Sequence, residues 1–189
     1  MKPSLLNNPV LKPVFYIIAR IGLFMFGWKT HGKMPDLKKF ILIAHPHSSN
    51  WDFVFTMLIF FKFQIPVHWM GKNTMFIPPF RHLLERLGGI PIDRSQNKNT
   101  VQIMADEFRK SDRLIVTIAP SGTRRNVDKW KTGFYRIAVE ADVPIACGFL
   151  DYKNKIGGVG PTITPCGDLE KDMTLMRSFY SDKTGRYDK

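Results

Sequence analysis

Two histidines and an aspartate lie in the segment HPHSSNWD, residues 45–52, directly after an apolar run. His47 and Asp52 form the pattern H-x-x-x-x-D. If Ser49 or Asn50 caps a following helix, Asp52 falls in the first helical turn, where the helix dipole favours its negative charge. From there its carboxylate can bind one imidazole nitrogen and leave the other as a base. The pair therefore predicts general-base catalysis on a hydroxyl or an amine.

The same segment also admits a metal site. His45 and His47 are two positions apart, so on an extended chain both face the same side and can chelate an ion. A catalytic zinc needs a third protein ligand and an open position. Asp52 is the only nearby carboxylate, and no ligand-like motif contains the other histidines, which are His31, His68 and His82. A metallohydrolase of the HxH type therefore stays open as an alternative.

Two further polar clusters follow apolar runs, DRSQNK at 93–98 and PSGTRR at 120–125. The first places Arg94 at the end of a predicted strand. The second combines a glycine turn with a hydroxyl, backbone N–H groups and the Arg124 guanidinium, a combination that suits a phosphate. Ligands of open α/β sheets bind outside the carboxyl ends of the strands. We therefore expect the three clusters to converge and to place a base beside an anion site.

The elements that must position these clusters alternate along the chain. Short apolar runs predict strands at 39–45, 67–71, 88–93, 113–119 and 143–150. Between them, helices are predicted near 51–63, 79–87, 97–110 and 131–141. Several strands are apolar at consecutive positions, as parallel strands covered on both faces are. The pattern predicts an α/β fold, a single domain with a largely parallel or mixed sheet flanked by helices.

The two ends of the chain differ from this pattern. Residues 1–30 are predicted to form an amphipathic helix associated with the membrane, and residues 31–180 the catalytic domain. Within that domain, 151–165 predicts a turn and a further strand, an antiparallel edge. The polar tail at 181–189 is expected to be frayed.

Composition narrows the classes of partner. The chain has 189 residues, 44% of them hydrophobic, which is enough for one sizeable core. A formal net charge of +12 favours polyanions such as nucleic acid, anionic lipid headgroups or phosphorylated substrates. The 15 Phe are concentrated in strongly apolar segments, which favours a membrane surface over nucleic acid. Cys147 and Cys166 form neither a C-x-x-C motif nor a disulfide framework, which fits the cytoplasmic side of the membrane.

The N-terminal helix is predicted to lie in the membrane interface rather than to span it. No A-x-A-like cleavage site follows it, and Arg20 interrupts its apolar run. A charge at the bilayer centre costs at least about 2.5 kcal/mol, whereas an interfacial helix keeps its basic residues at headgroup level. These are Lys2, Lys12, Arg20 and Lys29. A helix packed on the core of its own domain would show a similar apolar pattern and stays the alternative.

In order and spacing, the polar clusters together resemble the motifs of the glycerolipid acyltransferases of the lysophosphatidate (1-acylglycerol-3-phosphate) acyltransferase type. HSSNWD matches the H-x-x-x-x-D motif, and GGIPIDR at 88–94 matches a second motif. APSGTRR at 119–125 resembles F-P-E-G-T-R-S, and VPIACGF at 143–149 resembles the apolar fourth motif. The resemblance extends from about residue 39 to residue 149, and four motifs in order make a specific signal.

The resemblance implies transfer of a fatty acyl group from acyl-CoA or acyl carrier protein to the hydroxyl of a lysophospholipid-like acceptor. His47 would be the base and Asp52 the residue that orients it. The substrate-binding residues implied by the remaining motifs are Asp93, Arg94, Ser121, Gly122, Thr123 and Arg124. No cofactor and no metal are expected. Transfer would be direct, because no G-x-S-x-G elbow is present and Cys147 lies in an apolar run, where a thiol is usually inert.

Two positions depart from the family pattern. Ser121 replaces the usual Glu of the third motif, and Cys147 replaces a proline that is frequent in the fourth. Because the third motif is associated with holding the glycerol phosphate, Ser121 predicts a changed acceptor preference. A non-enzymatic basic module that binds anionic lipid or nucleic acid is the second alternative. It accounts for the charge but gives no reason for a histidine and a carboxylate beside two arginine loops.

Overall fold

The computed structural model describes residues 4–93, 97–122 and 130–187, with the backbone alone for 97–99. Within these ranges the chain forms seven strands and six α-helices. The strands are β1 (Lys29–His31), β2 (Lys39–His45), β3 (His68–Lys72), β4 (Gly89–Ile92), β5 (Leu114–Ile118), β6 (Ile145–Asp151) and β7 (Ile156–Ile163). The helices are α1 (Leu11–Met25), α2 (Trp51–Phe63), α3 (Arg81–Arg86), α4 (Asn97–Lys110), α5 (Gly133–Ala141) and α6 (Leu169–Tyr180). The predicted α/β class is confirmed.

The strands form one mixed sheet in the order β1-β7-β6-β2-β5-β3-β4. Every pair is parallel except β6 and β7, which are joined by a short turn and run antiparallel. The prediction of an antiparallel strand after residue 151 is confirmed, but its place at the edge is wrong. β1 pairs with the outer side of β7 and takes the edge position.

Parallel pairing brings the polar clusters to one edge of the sheet. The carboxyl ends of β2, β5, β3 and β4 point the same way, because these neighbouring strands are parallel. The loops after β2, β4 and β5 contain residues singled out in the sequence, namely His47, Asp93 and Ser121 respectively. The expected convergence is therefore a property of the topology.

Helices cover both faces of the sheet, as the continuous apolar runs predict. On one face, α4, α5 and α6 bury Phe108, Phe134 and Met176 against alternate strand residues such as Ile41 and Ile43. On the other face, α1 and α2 bury their own apolar residues, among them Ala19 and Phe60, against the intervening strand positions. Strand alternation therefore divides the core into two layers.

The N-terminal helix α1 has two apolar sides. Ala19 and Leu23 are buried, and the Phe15 ring stacks on Phe61 of α2 with centroids 4.6 Å apart. The alternative interpretation, in which this helix packs on the core of its own domain, is therefore correct for one side of α1. The opposite side stays exposed and is formed mainly by Val10, Val14, Ile17, Ile18, Ile21, Phe24 and Met25. No helix in the described part of the chain is long and apolar enough to cross a bilayer.

The sequence patterns did not predict β1 and α6, and they did not predict that the described part of the polar tail contacts the rest of the domain. β1 is three residues long, and α6 begins after Asp168, whose side chain accepts the Lys171 N–H. Residues 183–187, the C-terminal segment, follow the end of α6 and return to the sheet. There the Tyr152 N–H donates to the Thr184 carbonyl at 2.9 Å. This backbone hydrogen bond ties the segment to the residue that follows β6.

Candidate active site

His47 and Asp52 meet where β2 gives way to α2. α2 begins at Trp51, so Asp52 lies in its first turn, as expected. The His47 Nδ1 is 3.4 Å from the Asp52 Oδ2. The carboxylate is buried at 3% side-chain exposure, whereas the imidazole is 24% exposed. One partner is therefore fixed in the protein and the other faces open space.

The Asp52 carboxylate is held by the loop that precedes its own helix. The backbone N–H groups of Ser48 and Ser49 each donate to Oδ2 at 2.7 Å. The Ser49 hydroxyl accepts the Trp51 N–H at 3.1 Å, whereas Asn50 makes no side-chain cap. Of the two proposed capping residues, Ser49 therefore makes the side-chain contact. The loop satisfies N–H groups left open at the helix start and aims the carboxylate at His47.

A third group binds the carboxylate from the far end of the chain. The Tyr152 hydroxyl donates to the Asp52 Oδ1 at 2.5 Å. Burial alone raises the pKa of Asp52, but hydrogen bonds from His47, Tyr152 and the Ser49 N–H outweigh it and lower the pKa below its ordinary value. Asp52 is therefore ionised at neutral pH and can accept a hydrogen bond from the His47 imidazole.

This arrangement distinguishes the two ring nitrogens of His47. When Nδ1 carries the hydrogen that faces Asp52, Nε2 holds the lone pair and acts as the proton acceptor. A buried carboxylate in this position can also stabilise an imidazolium. The geometry is that of an oriented general base.

His47 and Asp52 line a cavity of about 1070 Å³. One wall comes from α2 and β3 and is apolar, with Phe53, Met57, Phe60 and Trp69. Three cationic side chains also line it, namely Lys72, Lys131 and Arg136. A buried hydroxyl, Thr117 Oγ1, faces the same space and has no hydrogen-bond partner among the described residues. The cavity therefore joins an apolar wall, positive charge and a base.

The residues proposed for substrate binding are placed in part. Asp93 follows β4 and is exposed, and Ser121 is buried beside the cavity-lining Gly122. Gly122 has φ +62°, and a Cβ there would come within 3.1 Å of the Lys131 side chain, so this turn requires glycine. Arg94, Thr123 and Arg124 lie outside the described residues. Their roles and those of the placed residues remain predictions.

Four residues of the site were missed from the sequence. Lys72 ends β3 and obeys the same strand-end rule that identified the other clusters, so it could have been found. Lys131 and Arg136 lie at the start of α5, where no motif marks them. Tyr152 is 100 residues from Asp52 and left no local signal.

The metal alternative finds no support in the ligand arrangement. Among the described residues, no group of three or more His, Cys, Asp or Glu side chains is placed to hold an ion. The two histidines have different neighbours, since the His45 ring packs edge-on against Trp130 and Tyr180 while His47 faces Asp52.

The cysteine inside the fourth motif is not among the described residues that line the cavity. Cys147 is fully buried on β6, and burial raises the pKa of its thiol to about 11. A thiol in this state is a poor nucleophile, as the sequence predicted.

Comparisons with known proteins agree with the fold and the motifs. The family model described as Acyltransferase matches residues 29–147, more than half of the chain. The crystal structure of the 1-acyl-sn-glycerophosphate (LPA) acyltransferase PlsC from Thermotoga maritima is similar with a TM-score of 0.60 and 13% identity, covering 93% of this chain and 82% of that one. A comparison with curated proteins gives no significant match. The family inferred from the motifs is confirmed, and the chain belongs to the acyltransferase family.

Proposed function

We propose that this enzyme transfers a fatty acyl group from acyl-CoA or acyl carrier protein to the hydroxyl of a lysophospholipid-like acceptor at the cytoplasmic face of the membrane. The observation that carries the proposal is the His47–Asp52 pair at the wall of a large, partly apolar cavity. A base without such a cavity would not select a lipid, and a cavity without the base would only bind one.

In the proposed reaction, His47 Nε2 takes the proton of the acceptor hydroxyl while the oxygen attacks the thioester carbonyl carbon. The tetrahedral intermediate collapses as the carbon–sulfur bond breaks. The imidazolium then returns the proton to the leaving thiolate, so that ester and thiol are the products. Lys131, whose side chain lies against Gly122, is our candidate for balancing negative charge on the reacting groups.

The two kinds of cavity wall suit the two parts of such substrates. The aromatic and methionine side chains favour an acyl chain, because each buried CH₂ contributes about 0.8 kcal/mol. Lys72, Lys131 and Arg136 favour phosphate oxygens, which the diphosphate of coenzyme A, the phosphopantetheine of the carrier protein and a lysophosphatidate headgroup all offer. Arg94 and Arg124 are proposed to add to this anion site.

Membrane binding is proposed to use the exposed side of α1. A contiguous row of large apolar side chains on a soluble surface marks an interaction site, and a net charge of +12 favours anionic lipid. A second exposed group lies around α3 and contains Met75, Ile77, Phe80 and Leu83. Met75 also lines the cavity, so lipid contact at this group would lie beside the cavity.

The membrane proposal is tested with surface variants, because deleting α1 would uncover the core around Ala19 and Leu23. The triple variant Ile17→Ser, Ile21→Ser, Phe24→Ser should lose co-sedimentation with vesicles that contain anionic lipid and stay folded. Val139→Ser with Leu175→Ser, which removes two apolar residues that are about half exposed on α5 and α6, is the control. Undiminished sedimentation of the triple variant would refute anchoring by α1.

The acceptor is proposed to differ from lysophosphatidate in headgroup. The Thermotoga maritima PlsC is an LPA acyltransferase, whereas this chain has Ser121 in place of the usual acidic residue of the third motif. A serine there would leave a roomier and more positive site than a glutamate. Lysophosphatidate should be a poor acceptor for the wild type, and Ser121→Glu should shift the preference. Equal kcat/KM profiles of the two proteins over a panel of lyso-lipids would show that Ser121 does not set specificity.

The activity itself is tested by incubating the protein with acyl-CoA or acyl carrier protein and the lyso-lipid panel, followed by mass spectrometry of the lipids. Diacyl product that requires both substrates supports the proposal. Hydrolysis that depends on added zinc would favour the metallohydrolase. No turnover, together with nucleic-acid binding that falls steeply with salt, would favour the binding module.

A further inference from the structure

Among the described residues that bind the Asp52 carboxylate, Tyr152 alone comes from neither its helix nor the preceding loop. It follows β6 directly, and its hydroxyl reaches Oδ1, while His47, Ser48 and Ser49 all contact Oδ2. Without the phenol, Oδ1 would be a buried charged oxygen with no donor among these groups, which is costly. The hydroxyl therefore completes the set of hydrogen bonds on the carboxylate.

The phenol is fixed in place by aromatic packing. Its ring meets Trp28 edge-on with centroids 5.0 Å apart and Phe55 of α2 at 6.0 Å. Tyr152 is not among the described residues that line the cavity. Its hydroxyl therefore contacts the Asp52 carboxylate from outside the set of residues that line the cavity.

The C-terminal segment contacts both Tyr152 and the loop before α2. Besides the Tyr152–Thr184 hydrogen bond, the Arg186 N–H donates to the Ser48 hydroxyl at 3.0 Å, and the Arg186 guanidinium lies 5.3 Å over the Trp51 ring. The segment thus contacts both Tyr152 and the loop that carries His47. All these residues of the C-terminal segment, and Tyr152 itself, lie beyond the residues matched by the family model.

We propose that Tyr152 is a positioning residue that orients the Asp52 carboxylate toward His47, and that the C-terminal segment holds Tyr152 and the His47 loop together. The proposal deepens the proposed function and rests on His47–Asp52 being the catalytic pair. Burial, and then Asp52, raise the pKa of Tyr152, so the phenol remains protonated and keeps donating.

The primary test is Tyr152→Phe, which keeps the ring and removes only the hydroxyl. We expect kcat to fall by about 10- to 100-fold, the rate equivalent of one hydrogen bond to a charged group, with KM unchanged. The pKa of Asp52 should also rise, because one donor is lost. A carboxylate with one donor fewer also attracts a protonated base beside it more strongly, so the acid limb of the kcat/KM profile, which reports the loss of the free base, should move to higher pH. The other ionisable groups near this carboxylate are His47 and, through Tyr152, Arg186.

A matched control exists in the same chain. Tyr135 donates to the Asp172 Oδ2 at 2.8 Å on the other face of the sheet, away from His47. Tyr135→Phe should leave kcat and the acid limb unchanged. If both Tyr→Phe variants lowered kcat equally, the effect would be general destabilisation and the proposal would be overturned.

A second measurement covers the case in which Tyr152→Phe does not fold. Incorporation of 3-fluorotyrosine at position 152 preserves the hydroxyl and makes it a stronger donor, so the acid limb should move to lower pH. An unmoved limb would overturn the proposal. If His47→Ala lost activity while both changes at position 152 left kcat and the acid limb as in the wild type, this inference alone would be refuted. If His47→Ala kept full activity, the proposed function itself would be refuted.

Discussion

The molecule contains two tyrosine–aspartate pairs built alike on opposite faces of the sheet. Asp52 and Asp172 each lie in the first turn of a helix, are 2% exposed, and accept one tyrosine hydroxyl and at least one backbone N–H. Burial raises the pKa of each carboxyl, and hydrogen bonds then lower it below the ordinary value. As electrostatic devices the two pairs are nearly the same.

They differ in the third partner. The Asp172 Oδ1 accepts from the Cys166 thiol at 3.2 Å, and the Cys166 N–H donates to Oδ2, so the carboxylate ties the loop after β7 to α6. Asp52 instead faces His47, which opens on the cavity. A buried carboxylate at a helix start thus has a structural role in both pairs, because it binds the preceding loop. It gains a chemical role only when its partner is a base within reach of substrate.

The largest difference should appear when each carboxylate is made neutral. Asp52→Asn removes the charge that orients His47 and stabilises the imidazolium, so kcat should fall by at least about 10²-fold. Asp172→Asn should lower the free energy of unfolding and leave kcat of the folded protein unchanged. Steady-state kinetics and denaturant unfolding of both variants check this. An equal loss of kcat would erase the distinction between the pairs.

Acidification should weaken both pairs together. Each carboxyl has a folded-state pKa below that of the unfolded chain, near 3.9 for Asp, so its ionised form stabilises the fold above that pH. The contribution is lost as the pH falls through the folded-state pKa. Unfolding free energies measured from pH 7 to pH 3 should decline at the acid end, less steeply in Asp172→Asn. Superimposable curves for wild type and variant would contradict the assignment.

A smaller effect is expected from Tyr135→Phe, in stability alone. Tyr135 is buried, and its pKa is raised to about 12 by burial and by Asp172. Its hydroxyl therefore stays protonated at neutral pH and donates to the Asp172 carboxylate. Losing that bond should cost about 1.5–3 kcal/mol of unfolding free energy. Denaturant titration measures it. A free energy of unfolding equal to that of the wild type would show that the Tyr135–Asp172 hydrogen bond does not stabilise the fold.

Sequence patterns predicted the elements that contain continuous apolar runs. The predicted strand 39–45 is β2, and the predicted helix 51–63 is α2, because polar segments bound both runs sharply. β1 has three residues and no apolar run, so nothing marked it. α6 did carry a signal, an Asp168 cap followed by Leu169, Met173, Met176 and Tyr180 at helical spacing, which was overlooked.

The candidate site divides in the same way. His47 and Asp52 are close in sequence, so a loop and a helix start were enough to predict their contact. Tyr152 reaches Asp52 only because β6 lies beside β2 in the sheet, a pairing that local patterns do not specify. The C-terminal segment was expected to fray because its composition is polar, yet its backbone hydrogen bonds and the stacking of Arg186 on Trp51 hold it.

The most direct test of the central claim removes the third partner from each pair. His47→Ala and Cys166→Ala are compared by kcat for acyl transfer, with circular dichroism and denaturant unfolding as checks on folding. We predict that His47→Ala loses at least about 10²-fold in kcat while keeping its fold, and that Cys166→Ala keeps wild-type kcat. Near-wild-type kcat in a folded His47→Ala protein, or an equal loss in His45→Ala that follows added zinc, would contradict the assignment of His47 as the base.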